Sequence, residues 1–272
     1  VKNNHMIRKE LFENYNGTKI YKYTIVSDIT VSFITFGARI MNIFVPDKHG
    51  NPVDVALNMT NVEDIITKGA FMGATVGRCS NRIGKGSFKI DGKTYKVWHD
   101  VNAAHLHGGK GGFDKKIFTA EAQKEKNSIT MRYLSPDGEE GYPGEAVFFV
   151  RFTVEGKKLI IEYFAESGAD TLMNITNHTY FNLNGENDGS ILDNVLRINA
   201  NAYLPTDELL VPTGEVKSVV GTPFDFRKPK PIGRDIDADD KDLKIAGGYD
   251  HNFCLSDKHF ATVYSEKTRQ TG

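Results

Sequence analysis

A chain of 272 residues with 39% hydrophobic content can bury a full core, and all-β folds of this size are often one domain. A formal net charge of -1 leaves no electrostatic footprint for nucleic acid or an anionic membrane surface. The longest apolar runs, such as Ala146 to Val150, fall far short of a membrane span, and the N-terminal Lys2, Asn3, Asn4, His5, Arg8 and Lys9 do not form the apolar core of a secretory signal.

In chain order the predicted elements are mostly strands. Tyr21 to Phe36 is the first segment rich in β-branched and aromatic residues. One short helix is expected over Asn61 to Lys68, with Asn61 as cap and Glu63 and Asp64 in the first turn. Ser87 to Val97 reads as a hairpin, because Phe88 and Ile90 lead into Asp91-Gly92 and Thr94, Tyr95 and Val97 follow. Further strands are expected at Ser128 to Leu134, Ala146 to Val154, Lys158 to Ala165 and Asn194 to Ala200. Turns fall at Pro136-Asp137-Gly138, Glu155-Gly156 and Pro212-Thr213-Gly214. Asp235 to Asp242 is acidic and reads as a solvated loop or short helix. The pattern points to an all-β chain, a large antiparallel sandwich in one domain over residues 1–272. Cys79 and Cys254 are the two cysteines, which fits reduced thiols and a cytoplasmic location.

Three segments carry candidate chemistry. In Asn174 to Leu183, a strand reading puts Asn174, Thr176, His178 and Tyr180 on one face. That face offers donors, acceptors, a flat ring and a group that titrates near neutrality, which suits a polyhydroxylated ligand whose protons must move. In His105 to Asp114, a strand would give His105 and His107 a common face, and the glycines that follow favour a structural turn presenting His107. No Cys or acidic residue stands at a familiar metal spacing, and neither the Walker nor the dinucleotide pattern is present, so no metal and no cofactor are expected. In Gly77 to Tyr95, Asn81 and Arg82 supply an amide and a fork of donors, equally suited to tying down a loop or binding a substrate.

Together these segments resemble the aldose epimerase (galactose mutarotase) family. The resemblance rests on Gly77 to Gly86 (GRCSNRIGKG), Leu106-His107-Gly108-Gly109 with Gly112-Phe113-Asp114 downstream, Ser135 to Gly144, Asn174 to Leu183, and Tyr249-Asp250-His251-Asn252-Phe253. These landmarks run in the family's order along nearly the whole chain. The resemblance implies a galactose mutarotase-like sandwich that interconverts the α and β anomers of free aldohexoses by acid–base ring opening. It assigns His178 as general acid, His107 as a second active-site histidine, Asn81 and Arg82 as sugar contacts, and Asp250 as a carboxylate accepting from sugar hydroxyls. Trp98, Tyr180 and Phe253 are available to stack on the sugar. The implied partner is a small aldohexose, with no nucleic acid and no membrane; nothing in the sequence sets an oligomeric state.

One departure accompanies the resemblance. The family's general base is a glutamate in a C-terminal segment, and the sequence stops at Gly272 before it is reached; Glu266 does not match that motif. The expectation is a longer protein that carries the base. Three alternatives stay open at this level. They are a sugar-binding module without chemistry, a hexose-6-phosphate mutarotase drawing on Arg82 and Lys110, and a glycoside hydrolase pairing Asp250 with Glu139 or Glu140.

Overall fold

Extended segments pair chiefly with their neighbours in the chain, as local turn chemistry favours. In the computed structural model, residues 6–99, 104–256 and 261–268 are described; His5 and the residues before it in the N-terminal reading, and Gly272 at the other end, lie outside them. Contacts group the chain into two compact units, Val1–Pro46 with Pro52–Phe181 and Asp47–Asn51 with Asn182–Gly272.

The first unit opens with a five-stranded antiparallel meander. Its strands are β1 (Met6–Tyr15), β2 (Thr18–Val26), β3 (Thr30–Ile34), β4 (Arg39–Pro46) and β5 (Pro52–Asp54), in sequence order. Asn16 and Gly17 join β1 to β2 with φ of 48° and 80°, the left-handed pair that matches strand twist. The segment Tyr21 to Phe36 is thus not one strand but two, β2 and β3, broken at Ser27-Asp28. The expected helix forms as α1 (Val62–Lys68), where Asn61 Oδ1 accepts from Asp64 N at 2.8 Å. Its buried Val62 and Ile65 pack with Ile20, Ile34, Phe36 and Met41.

Four two-residue or hairpin pieces follow: β6 (Thr75–Val76), β7 (Arg82–Ile83), and β8 (Ser87–Ile90) with β9 (Lys93–Lys96) across Asp91-Gly92. Next come β10 (His105–Leu106) and a four-stranded sheet of β11 (Thr119–Gln123), β12 (Ser128–Ser135), β13 (Ala146–Glu155) and β14 (Lys158–Ser167). Alternate side chains of the two large sheets share one core, including Val31, Phe33, Ile40, Ile129, Met131, Phe148 and Phe152. The Phe33 and Phe152 rings stack at 4.4 Å. Two antiparallel sheets closed on a common apolar layer make a β-sandwich, and each fully buried side chain of this kind contributes roughly 1.5–3 kcal/mol. β15 (Thr176–Asn177) pairs with β6.

The second unit holds β16 (Val195–Ile198), β17 (Ala200–Tyr203), β18 (Lys217–Ser218), β19 (Lys230–Pro231), α2 (Lys241–Ala246), β20 (Phe253–Leu255) and β21 (Ala261–Tyr264). They form two three-stranded sheets, β19-β16-β21 and β18-β17-β20. The acidic stretch from Asp235 runs into α2, whose cap Asp240 accepts from Asp242 N and Leu243 N. No described helix is long and apolar enough to cross a membrane.

Candidate active site

The short ladder between β7 and β10 aligns His105 with Ile83 and Leu106 with Arg82. One residue further out, both chains turn left-handed, with φ of 61° at Asn81 and 51° at His107. There they lock together: His107 N donates to Asn81 O at 3.0 Å, and Asn81 N donates to His107 Nδ1 at 3.0 Å. A backbone N–H cannot accept, so Nδ1 must be the bare nitrogen and the proton of the neutral ring sits on Nε2. Burial, then the nearby His178, Arg82 and His105, hold the His107 imidazolium down to about 3. His107 is therefore a fixed neutral donor at any ordinary pH.

Gly108 continues the turn at φ 93°, and a Cβ there would collide with the Gly77 carbonyl. Glu140 Oε1 accepts from Gly111 N at 2.9 Å and ties down the rest of the glycine run. The glycines thus serve close backbone packing that presents His107.

His178 comes from the segment after β15. Its N donates to Ala74 O at 2.8 Å and its O accepts from Gly73 N at 3.0 Å. The His107 and His178 rings stand 4.9 Å apart, nearly perpendicular at 84°. Tyr180 lies 5.1 Å from His178 with 40% of its surface exposed, a flat face open to a ligand. Arg82 Nη1 donates to Asn81 Oδ1 at 3.3 Å, so the amide and the guanidinium are neighbours beside the histidines.

Two strand readings need correction. Asn174 to Leu183 is a strand only over Thr176–Asn177. The reason is local: Asn177 Oδ1 accepts from Thr179 N at 3.0 Å and Thr179 Oγ1 at 2.5 Å, replacing ladder bonds with a side-chain turn. His105 and His107 also do not share a face. His105 is fully buried, with Nδ1 2.5 Å from Trp98 O and Nε2 2.5 Å from the Tyr142 hydroxyl. It is a core histidine.

The structure brings His107, His178, Asn81 and Arg82 together in the first unit. Asp250 is an exposed residue of the second unit, and Phe253 packs there against Phe224 and Phe226. Of the carboxylates considered for glycoside hydrolysis, Glu139 and Glu140 are engaged within the protein. Glu139 pairs with Lys116 at 2.5 Å and accepts from Tyr133 at 2.7 Å and from Ser135. Among the described residues, no three His, Cys, Asp or Glu side chains are grouped to hold a metal ion. Phe71 is the site residue that the sequence does not reveal, since no motif surrounds it; its ring lies 4.8 Å from that of His107.

A family model described as aldose 1-epimerase matches residues 21–271. Galactose mutarotase of Homo sapiens is 42% identical over 248 residues, 90% of this chain and 70% of that protein. Aldose 1-epimerase of Haemophilus influenzae is 34% identical over 255 residues, 92% of this chain and 73% of that protein. The crystal structure of galactose 1-epimerase from Lactobacillus acidophilus NCFM superposes with a TM-score of 0.86 at 28% identity, covering 96% of this chain and 78% of that one.

Proposed function

This chain belongs to the aldose 1-epimerase family, and we propose that its paired histidines interconvert the α and β anomers of free aldohexoses such as galactose and glucose. The observation that carries the reading is the edge-to-face pair of His107 and His178, 4.9 Å apart beside Asn81 and Arg82. Ring opening needs a proton delivered to the ring oxygen and another taken from the anomeric hydroxyl. His178 delivers the first, as an imidazole whose ordinary pKa lies near working pH suits it to do. His107, held neutral with its proton on Nε2, donates a hydrogen bond to the ring oxygen or its neighbour without joining the proton traffic. The opened aldehyde rotates about its C1–C2 bond and recloses from the other face.

Asn81 and Arg82 hold sugar hydroxyls, and Asp250 is assigned the same work on the family resemblance alone. The resemblance gives the base that takes the anomeric proton as a glutamate; Glu139 and Glu140 are already engaged in holding loops.

Polarimetry of freshly dissolved α-galactose tests the reading. His178→Ala should slow enzymatic mutarotation by about 10²-fold or more while sugar affinity stays within a few-fold; a near-normal rate removes His178 as the acid. Asp250→Ala should weaken binding and rate together, by loss of a charge-assisted acceptor.

A further inference from the structure

The turn between α1 and β6 places one aromatic ring against both imidazoles. Ala70 and Phe71 are consecutive left-handed residues, with φ of 41° and 63°, a conformation that L side chains rarely adopt. Such a backbone persists only where its surroundings over-determine it. Here they do. Met72 N donates to Gly69 O at 2.7 Å and Ala74 N to Phe71 O at 2.9 Å. The buried Arg39 guanidinium donates to Met72 O, and the Gly73 carbonyl accepts from Ile40 N and from Asn177 Nδ2, each at 2.9 Å. Gly73 N in turn bonds His178 O at 3.0 Å, so the turn and the histidine segment are one rigid piece. A Cβ at Gly73 would strike the Ile40 carbonyl.

The strained turn delivers the Phe71 ring to 4.8 Å from His107 at 67°, and to 5.7 Å from His178 at 41°. We propose that Phe71 is a positioning residue of the proton-transfer site, the apolar wall that sets the two imidazoles edge to face and keeps water off them. The proposal rests on the anomer-exchange reading and adds a residue to it.

The groups that face His107 are His178, Arg82 and His105, all of which oppose a positive charge on it, and burial opposes it more than any of them. Phe71 supplies part of that burial. Two imidazoles in contact would compete for one proton if both were hydrated. Kept dry and neutral, His107 stays a hydrogen-bond donor and out of the proton transfer.

The test has two readouts on Phe71→Ala and Phe71→Leu, the second keeping enough apolar bulk to preserve the fold. Histidine ring NMR of the sugar-free protein reports protonation. At about pH 5, between the value near 3 held in the parent and the ordinary imidazole value near 6.5, parent His107 should be neutral. In Phe71→Ala its protonated fraction should rise measurably, with Phe71→Leu between the two. Mutarotation kinetics should show kcat down about tenfold or more in Phe71→Ala with KM within about threefold, as expected when reacting groups are misplaced. Leucine should rescue part of this loss. Unmoved His107 protonation in both variants overturns the proposal, whatever the rates. A raised KM at unchanged kcat also overturns it, and would make Phe71 a sugar platform instead. Because the NMR readout needs no sugar, a parent without mutarotation would count against the proposed function and leave the wall still measurable.

Discussion

Arg78 and Arg82 stand in one short motif and look interchangeable on paper, yet they have opposite fates. Arg78 is 2% exposed. Its Nε donates to Ser135 Oγ at 2.9 Å, while its two terminal nitrogens reach the carbonyls of Ser135, Pro136, Pro143 and Gly144 at 2.7–3.0 Å. Burial lowers its pKa, with Glu139 acting in the opposite sense. The guanidinium thus closes the loop between β12 and β13 from inside. Arg78→Ala should destabilise the protein by about 3 kcal/mol or more, because four carbonyls, those of Ser135 and Gly144 in buried residues, lose their donor. Lysine should recover little of this, since one ammonium cannot reproduce the planar fork. An unchanged urea midpoint in the alanine variant would show that the loop is held by other means. The same divergence separates His105 from His107, two residues apart and the same type. Sequence offers both as candidates; only burial and partners tell the core imidazole from the presented one.

Elements encoded within a few residues are the ones most legible in the sequence. Asn61 caps α1 because its short amide reaches Asp64 N, Glu63 and Asp64 sit where the helix dipole favours acids, and Lys68 pairs with Asp64 at 2.6 Å one turn on. Asn61→Ala should lower stability by about 1 kcal/mol, read as a shift in the thermal midpoint; no shift would mean that packing of Val62 and Ile65 alone holds the helix. The β8–β9 hairpin is equally local, with Phe88 and Tyr95 opposite each other and their rings 5.7 Å apart. β15 shows where this reading stops. Its alternation looks like a long strand, but Asn177 and Thr179 carry side chains able to bond nearby backbone, and that competition ends the ladder after two residues. β1 and β4, which the sequence reading does not single out, complete the first sheet by pairing with their chain neighbours β2 and β3.

Across the whole molecule, one buried and two half-buried histidines couple folding to pH. His105 and His107 in the first unit and His251 in the second are all lowered, with burial as the leading cause. The unfolded chain takes up these protons near about pH 6.5, while folded His107 refuses one until about 3. Between those values the unfolded state holds more protons, so stability falls as pH drops through that window and is unaffected by these groups above it. The urea midpoint should decline from neutral pH toward acid, and His107→Gln, which carries no titrating ring, should decline less steeply. Equal slopes would remove His107 from the linkage. Sequence by itself determined the all-β class, the capped helix, the β8–β9 hairpin and the ordered motifs that mark the family, because turn chemistry, capping and side-chain alternation act within a few residues. Tertiary structure alone decided which histidine is core and which is presented, which arginine is a clamp, where the His107 proton sits and that Phe71 touches both imidazoles. Those outcomes depend on burial and on contacts between segments far apart in the chain, which no local pattern encodes.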